Sequence, residues 1–211
     1  ARILRFRFGP DRYLRKERLW PHLMQLVDQL VDHLRQPGQM VDWIHAHYAD
    51  AGLVGSLVSE RLGIPLVFTG HSLGREKQRR LLSAGGDLLQ MERTYAVSAR
   101  IDAEERALAQ ADLVITSTRQ EAEMQYSLYS NFQRRRAHVV PPGVDSTRFH
   151  PSASSTEMVE LNQLLHPFLR DPSKSPLLAI SRAVRRKNIP ALVDAFGQSA
   201  ALRRQFNLVL V

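Results

Sequence analysis

The 211-residue chain has no cysteine, which excludes a disulfide framework, a thiolate metal site and a cysteine nucleophile. It also lacks any apolar run approaching the roughly 20 residues that span a bilayer. Arg2, Arg5 and Arg7 interrupt the opening segment where a signal peptide would be continuously apolar. A membrane partner is therefore not expected, and the absence of cysteine fits a reducing cytoplasm. Aromatic residues are sparse at 7%, and acids are in deficit, 21 Asp and Glu against 29 Lys and Arg, for a formal net charge of +8. Such a balance favours anionic partners, among them phosphorylated metabolites and nucleotides. Nucleic acid is not among the expected partners. The basic residues fall in separate clusters, at 2–18, 75–80, 134–136 and 182–187, with few aromatics interleaved to stack on bases.

What the chain does have is 44% hydrophobic residues, enough for a substantial core, in patterns that alternate between strand and helix. Residues 43–77 organise the rest. They read as a hydrophobic strand, a polar tip, an amphipathic helix, a second buried strand and a tip carrying Gly70, His71, Ser72 and Lys77. Strand, helix and strand at this spacing form a βαβ unit with parallel strands. Ligands of open α/β sheets bind beyond the C-terminal ends of the strands, so the tips at 45–52 and 70–77 are expected to open onto one edge.

Around this unit the spacing predicts an alternating basic and apolar strand over 1–8, a packing helix over 20–34 and a strand over 41–45. A helix over 51–62 and a strand over 66–69 follow. Residues 75–84 form a loop or helix, interrupted by Gly85-Gly86, before a long helical region over 88–109. Strands at 112–117 and 138–140 end in the tip 118–121 and in a PPGVD turn. Stretches rich in Pro and Ser at 151–154 and 171–176 bracket a short amphipathic helix and resemble a junction. The alternation then restarts with a strand over 177–180, a tip over 181–188, a helix over 189–197 and a strand over 207–211. The expected division is 1–150 and 151–211. An opening without Met and an end inside a strand suggest a piece of a larger two-domain protein.

Five motifs then carry a family resemblance: HAHYADAG at 45–52, FTGHSLGREK at 68–77, ITSTRQE at 115–121, VVPPGVD at 139–145, and Ser181-Arg182 with Arg186-Lys187-Asn188. In this order they resemble retaining glycosyltransferases of the GT-B fold, and among these the sucrose-phosphate synthases. The resemblance implies an α/β fold of GT-B type. Residues 1–150 would be an acceptor-side Rossmann-like domain lacking its first strand, and 151–211 the start of a nucleotide-sugar-binding domain. It implies glucosyl transfer from UDP-glucose to fructose 6-phosphate, giving sucrose 6-phosphate with retention, with no cofactor and no metal. It also allows association with a sucrose-phosphate phosphatase.

By the same resemblance, Lys16, Ser72, Lys77 and Arg100 hold the acceptor phosphate, through the charge-assisted hydrogen bonds that Lys and Arg make to such a dianion. Arg182 and Lys187 hold the donor diphosphate. Departure of UDP leaves negative charge on that diphosphate, so fixed cations there stabilise the transition state selectively. His71 lies beside the donor sugar as a positioning group. His71, Arg182 and Lys187 are thus the expected catalytic set. His45 and His47 have no third ligand placed near them, and packing or supporting roles are expected for both. Asp50 and Glu121 are carboxylates at strand tips, Glu121 as a helix cap, and neither is assigned to catalysis.

Two departures stand out. Ala183-Val184 replaces the Pro-Asp that commonly follows Ser-Arg in the family, and neither its Gly-rich segment nor its Glu-x7-Glu region has a counterpart in these 211 residues. The polypeptide by itself is therefore expected to be inactive. A sucrose synthase, another GT-B hexosyltransferase and a non-catalytic sugar-phosphate-binding domain stay open as alternatives.

Overall fold

The structure, a computed structural model, describes residues 2–150, 159–160 and 163–211. The chain divides into two compact units, Ala1–Gly143 and Val144–Val211, where the sequence places the boundary after residue 150. The Pro- and Ser-rich stretch expected at 151–154 lies outside the described residues.

The first unit is built on four parallel strands in the order β1 (Ile44–His47), β2 (Leu66–Thr69), β3 (Leu113–Thr116) and β4 (Ala137–Val139). Helix α1 (Leu23–Leu34) precedes the sheet and α2 (Tyr48–Leu62) joins β1 to β2. Three helices, α3 (Gly74–Ser83), α4 (Leu88–Tyr95) and α5 (Val97–Gln110), connect β2 to β3. The period of two in the strands sorts their side chains. Leu66, Phe68 and Val114 are buried with Ile101, Ala107 and Leu108 of α5, whereas His45, Val67 and Ile115 are only half-buried. Burying Leu66 and Phe68 fully contributes roughly 1.5–3 kcal/mol each.

A second apolar layer forms where Leu23, Val27 and Val31 of α1 meet Val54 and Val58 of α2. Helix α2 approaches the sheet closely at Gly52, where a Cβ would stand 2.7 Å from the Phe68 ring and 3.1 Å from Ala107. Gly63 ends α2 in the left-handed conformation, at φ +68°, with its amide on the Ser59 carbonyl. Pro65 then releases the chain into β2.

Several expectations need correction. Residues 2–8 form no strand. At the end of this stretch the backbone bonds instead to side chains of α1, Gln29 donating to the Arg7 carbonyl at 2.8 Å and Gln25 accepting from the amide of the following Gly9 at 2.8 Å, while the Phe6 ring meets His33. The first strand begins at Ile44 instead of residue 41, and α2 begins at Tyr48 instead of residue 51. The long helical region expected over 88–109 consists of two helices, because Ala96 adopts φ +45° between α4 and α5. Residues 121–125 form a π-helical turn.

The second unit holds a parallel pair, β5 (Ser175–Ala179) and β6 (Phe206–Leu210), connected through α6 (Ile189–Gln198) and a short α7 (Ala200–Gln205) that the hydrophobic pattern did not announce. Asn207 ties the start of this pair together by donating to the carbonyls of Asp171 and Lys174. Among the described residues, no helix is long and apolar enough to cross a membrane.

Candidate functional site

The C-terminal ends of β1 and β2 meet at a cluster of histidines. His45 and His47 share one face of β1, their rings 4.1 Å apart. His45 Nε2 is 2.9 Å from Thr69 Oγ1, and His47 Nδ1 shares a hydrogen bond of 2.8 Å with His71 Nε2. His71 follows Gly70 at φ +56°, and Tyr48 at φ +69° places its ring 4.7 Å from the His71 ring. Left-handed backbone at two non-glycine residues in contact is a local cost of the kind that collects at functional sites. Burial lowers the pKa of His71, and the positive charge of His47 lowers it further, against a smaller opposite effect of Glu121. His45 is lowered by burial and by the same two neighbours, His47 and His71. At His45 and His71 the neutral imidazole is thereby favoured.

Beside this cluster lies a pocket of about 370 Å³. Lys16, Lys77 and Arg100 line it with Ser72, so the four residues expected at an acceptor phosphate surround one space. They reach it from different elements: a 3-10 turn (Lys16–Arg18), the tip after β2, and helices α3 and α5. Three aromatic residues, Trp20, Tyr48 and Tyr95, form apolar walls, and Glu17 and Asp50 add two carboxylates. The Lys77 ammonium sits 3.3 Å over the centre of the Tyr95 ring, a cation–π contact that fixes its direction. Burial lowers the Lys77 pKa first, and repulsion from Lys16 and Arg100 adds to this. Among the described residues neither Lys16 nor Lys77 forms an ion pair within 4.0 Å. The two lysines are thus left available to an anion, while Arg100 is held by Glu104 and two further carboxylates share the lining.

Arg100 is not an ordinary helix-surface charge, since its side chain is only 14% exposed and ion-pairs with Glu104 at 3.0 Å. Its other end donates to the Ser72 carbonyl, with Ser72 Oγ at 3.4 Å. Glu121 acts structurally. Its amide donates to Thr118 Oγ1 at 3.0 Å and its carboxylate accepts the Ser117 amide at 2.7 Å, close to a capping box. Among the described residues no group of three or more His, Asp or Glu side chains could hold a metal ion.

Arg182 and Lys187 belong to the second unit. Arg182 is exposed on the loop after β5, and Lys187 is exposed in a 3-10 turn (Arg185–Lys187) just before α6. Asn188, at φ +51°, opens that helix, its carbonyl accepting the Ala191 amide at 3.1 Å. Trp20, Tyr48, Tyr95 and Glu17 are lining residues that the sequence did not single out. Tyr48 lies inside the HAHYADAG tip and could have been found there. Glu17 and Trp20 lie within four residues of Lys16, whereas Tyr95 meets Lys77 only through the fold.

A "Probable sucrose-phosphate synthase 2" from Craterostigma plantagineum is 38% identical over 263 aligned positions, covering all of this chain but 24% of that protein. The chain thus spans about a quarter of the length of the curated relatives it matches. Among solved structures, a sucrose-phosphate synthase from Thermosynechococcus elongatus superposes with a TM-score of 0.67 at 25% identity, over 96% of this chain and 44% of that one. The Anabaena protein HepE, solved with UDP-glucose, shares the fold with a TM-score of 0.58 at 19% identity, over 89% of this chain and 42% of that one. The fold is α/β of GT-B type, and the Glycosyltransferase Family 4 profile matches residues 2–148, so the chain belongs to glycosyltransferase family 4.

Proposed function

We propose that the chain carries the acceptor site and part of the donor site of a retaining hexosyltransferase that moves glucose from UDP-glucose to fructose 6-phosphate, giving sucrose 6-phosphate and UDP. The observation that carries this reading is the convergence of Lys16, Ser72, Lys77 and Arg100 on one pocket with aromatic walls and two carboxylates. A sugar phosphate presents matching chemistry: a dianion for the cations, hydroxyls for Glu17 and Asp50, and a C–H face for Trp20, Tyr48 or Tyr95. The reading is supported further by the similarity to sucrose-phosphate synthases and by HepE, a protein of the same fold solved with UDP-glucose.

In this proposal Arg182 and Lys187 hold the donor diphosphate and stabilise the charge that develops there as UDP leaves. His71, held by His47, orients a donor sugar hydroxyl. The leaving phosphate oxygen takes the acceptor proton, so no metal is invoked and no side chain serves as base. The 211 residues by themselves turn over no substrate, because they hold no Glu-x7-Glu region to grip the donor.

Titration calorimetry with fructose 6-phosphate, fructose and UDP-glucose tests the acceptor assignment. The expected result is binding of fructose 6-phosphate at least tenfold tighter than fructose, since one charge-assisted hydrogen bond contributes about 1.5–3 kcal/mol. Tighter binding of plain fructose would move the reading to a sucrose synthase. Formation of sucrose 6-phosphate by the purified chain would overturn the expected inactivity. A non-catalytic sugar-phosphate-binding domain is favoured by Ala183-Val184 and by the missing Gly-rich and Glu-x7-Glu segments, and it predicts binding of fructose 6-phosphate without UDP-glucose.

A further inference from the structure

Glu104 is a fully buried carboxylate, 0% exposed, on the face of α5 away from solvent. Buried charge is costly unless every oxygen is engaged, and here each one is. Oε1 accepts from Arg100 Nε at 3.0 Å and from the Gly74 amide at 3.2 Å, and Oε2 accepts from the same amide at 2.8 Å and from the Tyr129 hydroxyl. The Tyr129 hydroxyl in turn accepts the Arg75 amide at 3.0 Å. Helix α3 has no capping side chain of its own at Leu73, so its first two amides are satisfied by this remote pair. Gly74 is required for the approach, because a Cβ there would stand 2.8 Å from Glu104 Oε2.

The consequence concerns the pocket. Helix α3 carries Lys77, the tip before it carries Ser72, and Arg100 bridges from Glu104 to the Ser72 carbonyl. Three of the four groups proposed to hold the phosphate are therefore referred to one carboxylate that does not itself line the pocket. We propose that Glu104 is a positioning residue for the anion pocket, fixing Arg100, Ser72 and the start of the Lys77 helix in one arrangement and so setting the affinity for a phosphorylated sugar. This rests on the reading of the pocket as a sugar-phosphate site.

Charge alone predicts the opposite effect, which makes the role testable. Glu104 neutralises Arg100, so Glu104→Gln leaves the pocket one positive charge richer and on Coulombic grounds would tighten an anion. Positioning predicts a loss instead. The experiment is calorimetric titration of the 211-residue chain and its Glu104→Gln variant with fructose 6-phosphate, at a temperature where circular dichroism shows both folded. The expected result is binding about tenfold weaker in the variant, the equivalent of one misdirected charge-assisted hydrogen bond. General loss of stability with the site intact would leave that dissociation constant unchanged.

Tyr129→Phe is the second variant. It removes one hydroxyl from the same network without altering the charge, and a several-fold weakening is expected. Should Glu104→Gln fail to fold, unchanged affinity in Tyr129→Phe overturns the proposal. Unchanged or tighter binding in a folded Glu104→Gln variant overturns it while leaving the pocket reading intact. Absence of fructose 6-phosphate binding by the unaltered chain overturns both.

Discussion

Phe68 in β2 and Leu178 in β5 occupy comparable mid-strand positions of a parallel pair, yet Phe68 is fully buried while Leu178 stays 48% exposed. The contrast extends to the units they belong to. In the first, β2 is flanked by strands on both sides and covered by α2 and α5. In the second, none of the described residues is buried, although α6 is as regularly amphipathic as many helices that are. An apolar stripe in sequence specifies a face, but burial requires neighbouring elements to close over it. The hydrophobic stabilisation of the chain should therefore reside in residues 2–143.

The largest expected effect tests this directly. Phe68→Ala should cost about 3–5 kcal/mol by loss of buried surface and the cavity it leaves, lowering Tm by on the order of 10 °C. Leu178→Ala should cost no more than about 1 kcal/mol. Thermal unfolding followed by circular dichroism checks both, and equal shifts would erase the distinction between the units.

Ligand binding should separate the units as well. Lys77→Ala is expected to weaken fructose 6-phosphate by roughly 10- to 100-fold, from loss of a charge-assisted contact. Arg182→Ala in the second unit should leave that affinity unchanged while weakening UDP. Calorimetry with each ligand reads the two, and a loss of fructose 6-phosphate binding on Arg182→Ala would contradict the division of labour.

A smaller effect concerns acid stability. Hydrogen bonds from Arg79, then Arg80, hold the Glu76 pKa down to about 2 from an ordinary 4.5. Because the folded value is depressed, this contribution is present above pH 4.5 and is lost as the pH falls from there toward 2. Glu76→Gln should flatten that limb of the stability curve, measured as Tm against pH. The second unit's Asp171 is also lowered, by its hydrogen bonds with Ser173, but its side chain is 43% exposed. Asp171→Asn should therefore change the same curve less. Least of all in magnitude, His47→Asn removes a positive neighbour from His71 and should raise its titration midpoint, followed by the imidazole proton shifts in NMR spectra.

Much of the first unit was legible because its signals are local. Pro65 and Gly70 bracket β2, so the strand is found where four apolar or β-branched residues predict it. The cations of the pocket were legible through motifs, Ser72 and Lys77 lying together in HSLGREK. What escaped depends on tertiary partners. Residues 2–8 alternate like a strand, but among the described residues no strand pairs with them, and glutamines of α1 bond to the Arg7 carbonyl and the Gly9 amide instead. Glu104 reads as one more acid on a helix, and only the arrival of Gly74 and Tyr129 from elsewhere makes it a hub. Tyr95 carries no signal at all until Lys77 rests on its ring.

Between α4 and α5 the chain reverses its backbone hand at one alanine, Ala96. Tyr95 and Arg100 are five residues apart, and on an unbroken helix they would point about 140° away from each other. One could then touch the pocket only by withdrawing the other. The single reversed residue rotates one helix axis against the next, and side chains that regular geometry would scatter are aimed at a common target. Ala96→Gly would ease that reversal by about 1 kcal/mol, while an insertion of one residue there would aim Arg100 elsewhere.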